Sequence, residues 1–308
     1  MTAQKFMRRH IHFFQSFGDT NMATDIVHIV QKYRRQKVAY FLLGLLIVLP
    51  PVFIICVEYV YPFILSFISS FHKDDALSLA NYAYVFRVYG RDIVFTIYVS
   101  VLSLCCVMVI SIFLGGYLTI HSNRIIEFLF KIPLFIPFVV VGHAMRTFLA
   151  PKGILNSLIS LTGLINMDNP PSFIYGAPGI IISLSWKQTA FALLLVMSVF
   201  RSVDHSFLEA ARNFGASTFR QITDFLLPLS KGSLGVASIL IVTSFLQNFS
   251  VVMMMGDSGK AKHLMVDIYH TITYLQDMPL ANAMGVISYL LALSAAIIYL
   301  RQGLKKDA

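Results

Sequence analysis

The residues able to do chemistry are few here, and several lie inside long apolar blocks. Lys187 sits beside the single tryptophan, Trp186, nine residues into the block Pro178–Phe200, which is about 13 Å along a helix. Glu127 and Lys131, four apart, can pair on one helix face. They read as a structural or snorkelling pair near one end of their block. His143 and Arg146, three apart, share a face at the other end, where Arg146 either snorkels to headgroups or meets a solute. Gln247 and Asn248 lie in the outer third of a further block. Ionisable groups at membrane depth are functional hypotheses by default. Catalysis is poorly served: no block holds two carboxylates placed for acid–base work, and most histidines lie outside the blocks. Cys56, Cys105 and Cys106 form no CxxC or Cys/His spacing, so they read as small apolar side chains and no metal site is expected. Gly115-Gly116-Tyr117 and Gly256-Asp257-Ser258-Gly259-Lys260 lack the GxxxxGK spacing of a phosphate loop. They read as a span end and an outer turn, and the chain itself is not expected to hydrolyse ATP.

The elements that must position these residues follow from composition. The chain of 308 residues is 57% apolar and 13% charged, against about 45–50% and about 25% in soluble domains. Its apolar residues cluster in blocks of about twenty, the helical length that crosses a bilayer. An all-α polytopic membrane protein is expected, with six transmembrane helices near 38–59, 93–117, 127–149, 178–200, 232–254 and 281–300. Pro50-Pro51 should kink the first span, and Pro133 and Pro137 lie within the third. Residues 1–37 are expected to form a basic segment, with an interfacial helix over Phe6 to Phe17, residues 38–300 the six-span membrane domain, and 301–308 a basic tail. Gly153 to Ile159 reads as a short amphipathic surface helix. If the N-terminus is cytoplasmic, the inner segments carry seven Lys and Arg in the first, one at Arg124, four over 201–231 and three in the tail, 15 in all. The outer segments carry 6. The positive-inside rule then puts both termini in the cytoplasm. The net charge of +9 reflects that distribution and implies no nucleic-acid partner.

One inner segment carries a motif. Residues 208–217 read Leu-Glu-Ala-Ala-Arg-Asn-Phe-Gly-Ala-Ser, followed by Phe225-Leu226-Leu227-Pro228. Glu209-Ala210-Ala211-Arg212 is strong helix sequence, Gly215 suits a helix end, and Asp204 or Ser206 suits its start. Glu209 would then fall in the first turn. Phe219, Ile222 and Phe225-Leu226 should lie along the membrane surface before Pro228 redirects the chain. Local physics alone allows an ordinary surface helix linking two spans.

The pattern resembles the EAA loop of the membrane subunits of binding-protein-dependent ABC importers. Glu209, Ala210, Ala211, Gly215, Leu227 and Pro228 match position for position, and Phe225 replaces the usual Ile. The resemblance covers about 200 residues, from Ile93 to Leu300, and includes the loop's place before the penultimate span. It implies a type I ABC importer permease fold in a bacterial inner or plasma membrane, with those six residues coupling the chain to an ATPase. The implied partners are a second permease, homologous or identical, an ATP-binding cassette ATPase dimer holding ATP and magnesium, and an extracytoplasmic solute-binding protein. This chain itself would bind no cofactor.

The resemblance also bears on the solute. Sugar-transporting relatives typically carry Ile-Asp-Gly-Ala where this chain has Asn213-Phe214-Gly215-Ala216, and the stretch from Phe249 through Tyr269 is similar to the spermidine/putrescine-type group. A polyamine-like solute is therefore expected, or else an organic or phosphonate-type anion, since a buried Lys187 would repel a polyammonium ion. Trp186, Lys187, Asn248, Phe249 and Arg146 are the candidates for the substrate path, with a purely structural polar cluster as the alternative. The competing functions are a membrane scaffold and an intramembrane enzyme, both without an ATPase partner.

Overall fold

A computed structural model describes residues 20–73, 76–255 and 261–304 of the chain. The interfacial helix expected over Phe6 to Phe17, the turn at 256–260 and the last four residues of the tail lie outside the described residues. Contacts divide the chain into two units, 1–65 and 66–308. In the described part of the first, α1 (Thr20–Ile55) runs through Pro50-Pro51 without interruption, widens into a π turn over Cys56–Val60 and enters α2 (Tyr61–Ser70). The first apolar helix thus begins inside the segment expected to be a polar lead-in. Over Tyr40–Ser70 it is apolar on every side, as suits a helix bathed in lipid or in other helices.

The second unit opens with a two-stranded antiparallel hairpin, β1 (His72–Lys73) and β2 (Ala76–Leu77), then α3 (Ala80–Val88) and α4 (Gly90–Ile120). α4 buries Thr96, Val99, Ser100, Ser103, Val107, Ser111 and Gly115, a stripe of steps of three and four that marks one helix face. Small residues there bring α4 close to α8 (Ala177–Arg201), the two helices in widest contact. Small-residue seams are the packing device of membrane helices. A Cβ on Gly115 would stand 3.1 Å from Val196 Cγ1. The main core joins Val99 and Val107 of α4 with Leu184 and Ala192 of α8, and with Val141, Ile241, Phe245, Val251 and Val252.

The third expected span is not one straight helix. α5 (Arg124–Lys131) passes into a 3₁₀ turn over Ile132–Phe135 and, after Ile136-Pro137, into α6 (Phe138–Phe148). The two halves meet at 105°. The cause is local: a residue before proline is pushed out of the helical region, and Ile136 stands at φ −89°, ψ 123°. The fifth span is also corrected. Helix runs continuously from Thr218 to Leu246, through α10 (Thr218–Arg220), a π turn over Gln221–Leu226 and α11 (Leu227–Leu246). Pro228 does not redirect the chain. It occupies the first turn of α11, directly after the π turn, where the widened hydrogen-bond register accommodates a residue without an N–H. The chain turns instead at Gln247-Asn248, before α12 (Ser250–Met254). α13 (Leu264–His270), a further π turn over Thr271–Leu275 and α14 (Met278–Leu304) complete the fold, α14 running into the expected tail. The short helix expected near 153–159 is α7 (Ile154–Ser160).

Five described helices are therefore long and apolar enough to cross a membrane, and six if the bent α5–α6 pair counts as one span.

Candidate functional site

The segment between α8 and α11 is built by capping. The Asp204 carboxylate accepts from the Ser206 backbone N–H at 2.9 Å and opens α9 (His205–Asn213). That hydrogen bond holds the Asp204 carboxyl below its ordinary pKa. Glu209 falls in the second turn rather than the first. At the far end Gly215 has φ +78°, its N–H bonds to Arg212 O at 2.9 Å, and the Ala216 N–H bonds to Ala211 O at 3.0 Å. These paired bonds are a Schellman closure, which needs a left-handed residue at the glycine position. The next helix starts at once, capped by the Ser217 hydroxyl, while Gln221 Nε2 donates to Ala216 O at 2.9 Å.

α9 has two faces. Leu208 packs in a second core cluster with Val196, Phe200, Ile222, Leu226 and Leu234, and Ala211 is buried as well. Glu209 and Ala210 face outward. So do Phe207 and Phe214, at spacings that align them with Ala210 on one helix face, and Phe214 is 92% exposed. This aromatic stripe escaped the motif reading, although its i, i+3, i+7 spacing is visible in the sequence. Ile222 and Leu226 were expected on the membrane surface; they pack inward instead, because the continuous helix carries them into the bundle. Gly116, read as a span end, is where Ile222 docks: a Cβ there would meet Ile222 Cγ1 at 2.7 Å. Leu227 and Pro228 lie in the first turn of α11.

The five residues expected along a substrate path fall into two groups. Arg146, Asn248 and Phe249 gather around α12. Asn248 Oδ1 accepts from Val251 N at 3.1 Å, Phe249 packs its ring 5.1 Å from that of Tyr269, and Arg146 Nη1 reaches Met254 O at 3.4 Å. Gly142 allows the approach of α6 to α12, since a Cβ on it would lie 2.8 Å from Met254 Cβ. Lys187 is buried elsewhere, at the break in the third span. Its ammonium donates to Pro133 O at 2.5 Å and Leu134 O at 3.4 Å and lies 4.8 Å from the Phe138 ring centroid. Proline supplies the reason. Pro137 has no N–H to offer the Pro133 carbonyl, which keeps only a 3.3 Å bond from Ile136 N and has a lone pair left for the ammonium. Trp186, on the neighbouring face of α8, is half exposed and lines an apolar cleft of about 650 Å³ with Cys106, Ile110, Phe130 and Ile182.

The Glu127–Lys131 pair forms, and the sequence reading missed its third member: Arg201 Nη2 bonds Glu127 Oε2 at 3.0 Å. Another joint ties the chain near α13. Thr96 Oγ1 accepts from Leu264 N at 2.8 Å and Asp92 Oδ1 from Lys262 N at 2.7 Å. His263 is buried between them, its Nδ1 accepting from Met265 N at 3.3 Å. Burial lowers the His263 pKa to about 4, and the neighbouring Phe245 carbonyl offsets only part of that. Among the described residues, no group of three or more His, Cys, Asp and Glu could hold a metal ion.

Residues 107–303 match the family described as binding-protein-dependent transport system inner membrane component. The chain is 26% identical over 303 residues to the trehalose/maltose transport system permease protein MalF of Thermococcus litoralis, covering 92% of this chain and 98% of that one. It is 27% identical over 175 residues to the spermidine/putrescine transport system permease protein PotB of Haemophilus influenzae, covering 56% and 59%. The fold is that of a bacterial ABC transporter for import of alginate, at TM-score 0.69 and 20% identity over 89% of this chain and 99% of that one. A second structure of a bacterial alginate ABC transporter, in complex with an alginate pentasaccharide-bound periplasmic protein, matches at TM-score 0.71 and 20% identity, covering 87% and 94%.

Proposed function

The chain belongs to the family of inner membrane components of binding-protein-dependent transport systems, and from that premise we propose that it is the permease subunit of an ABC importer whose α9 docks on a cytoplasmic ATPase. The observation that carries this reading is the outward face of α9, with Glu209, Ala210 and two exposed phenylalanines held in fixed pose by the Gly215 closure. Glu209, Ala210, Ala211, Gly215, Leu227 and Pro228 form the coupling segment. Leu208 keys it into the bundle, so a push on α9 reaches the spans. ATP and magnesium are bound by the ATPase dimer, and a second permease and an extracytoplasmic binding protein complete the assembly. In this scheme the bent α5–α6 pair serves as one span, making six, with both termini in the cytoplasm of a bacterial cell.

The path runs past α12, where Asn248, Phe249 and Arg146 present an amide, an aromatic ring and a cation. That set suits a hydroxyl-rich or anionic solute better than a polyamine. The test uses the whole transporter. Glu209→Lys and Gly215→Asp should leave the chain in the membrane at normal level while uptake is lost and ATP hydrolysis no longer responds to the binding protein. Normal uptake in both variants refutes the coupling role. Failure of any ATPase to co-purify with the wild-type chain refutes the importer reading and returns a scaffold to consideration. Thermal-shift screening of the co-purified binding protein against sugars, organic anions and polyamines identifies the solute class.

A further inference from the structure

The inner half of the broken span is fastened to one helix, α8, at two separate points. Near the start of α5, Glu127 Oε2 accepts from Arg201 Nη2 at 3.0 Å, while its other carboxylate oxygen pairs with Lys131. At the break itself, Lys187 Nζ donates to the carbonyls of Pro133 and Leu134. One contact alone would leave α5 free to pivot; two along its length fix its tilt and rotation against α8. Arg201 is also the last residue of α8, and Asp204, three residues on, caps α9. A tilt of α9 is therefore passed along the chain to Arg201 as well as through Leu208. Beyond the break, α6 packs on α12 through Gly142 and Met254 and through the Arg146 hydrogen bond.

A buried ammonium held by two carbonyls and an aromatic ring, with no carboxylate partner, is an expensive way to stabilise a bundle, since apolar residues of similar size often do as well or better. Fixing one register among several is the best-attested use of such a group. An exposed ion pair contributes only about 0–1 kcal/mol, but the Glu127 side chain is 18% exposed and shared between two cations. We propose that Glu127, Arg201 and Lys187 form a clamp that makes α5 follow α8, so that movement of the ATPase-docking segment is delivered through the 105° break to α6 and α12. The three are positioning residues. The inference rests on the importer reading, and it adds a route that the docking of α9 alone does not supply.

The clamp is testable without knowing the solute. In the full complex with its ATPase, with Cys56, Cys105 and Cys106 replaced by alanine, spin labels go on Val140 of α6 and Leu293 of α14, both exposed. α14 packs on α11 and α3 and serves as the reference. The probe is ATP with vanadate. Trapping should shift the label-to-label distance in the otherwise unaltered chain. Glu127→Gln and, separately, Arg201→Gln should lose that shift while the complex still hydrolyses ATP. The charge-exchanged double variant Glu127→Arg/Arg201→Glu should regain it. A full shift in both single variants overturns the clamp and leaves the importer reading intact. Absence of an ATPase from the unaltered complex overturns both. Arg201 is half exposed, so its variant keeps the test valid should Glu127→Gln fail to assemble.

Discussion

At Gly116 the absence of one carbon decides how the docking segment meets the bundle. Ile222 fills the space a Cβ would take, so Gly116→Ala should destabilise the fold by about 1–3 kcal/mol through overpacking. Thermal melting in detergent reads this, and pairing the change with Ile222→Ala should recover most of the loss. Gly285→Ala, where nothing lies within 4 Å, is the control and should be neutral or slightly stabilising. His263 sets a second residue-scale expectation. Its folded pKa, about 4, lies below the ordinary 6.5, so between those values the unfolded chain binds the extra proton. Stability is complete above pH 6.5 and falls as pH drops toward 4, by about 3 kcal/mol in all. Melting temperature against pH should show that slope, and His263→Gln should flatten it. Neither residue is conspicuous in the sequence: an adjacent glycine pair in an apolar block and one histidine in a polar stretch give no sign of what packs against them.

Among the elements, the apolar blocks led to six expected spans, of which five appear as continuous apolar helices, and the cap and closure of α9 were legible as well, because each depends on residues close in the chain. Asp204 and Gly215 act within a turn of their own positions. The two misread prolines show what local rules leave open. Pro137 forces Ile136 into extended backbone and breaks the third span, whereas Pro228 follows a π turn and breaks nothing. The difference lies in the surroundings: at the break Lys187 of α8 donates to the exposed carbonyls, whereas Pro228 falls in the first turn after a π turn, where its missing N–H interrupts nothing. The same logic separated the substrate-path candidates, since Trp186 and Lys187 are adjacent in sequence yet face different surroundings. Pro137→Ala should let α5 and α6 join into a straighter helix. Labels at Phe128 and Val140 would then move apart, toward the about 18 Å of twelve helical residues. An unchanged distance would mean that packing, not proline, holds the bend.

On the scale of the whole molecule, the six-span arrangement with both termini inside rests on the excess of Lys and Arg on one side. A green fluorescent protein fused to the C-terminus should fluoresce, and alkaline phosphatase inserted after Asn166 should be active, because the proposed arrangement puts those positions on opposite sides of the bilayer. Relatives named for trehalose/maltose and for spermidine/putrescine both align with the chain, so the Asn213-Phe214-Gly215-Ala216 variation does not by itself sort the cargo. In the proposed arrangement the unbroken helix Thr218–Leu246 joins the two membrane faces. Its 29 residues extend about 43 Å, the full thickness of a bilayer with its headgroups. It behaves as a drive shaft, and the π turn near its lower end inserts one surplus residue, setting the angle between the shaft and the loop that turns it. Removing the exposed Asp224 would restore ordinary α-helical phase and swing the lower end by about 100°. Ile222 would then leave its seat on Gly116. Uptake and ATP hydrolysis measured together should show a transporter that still burns ATP but whose two ends no longer keep time.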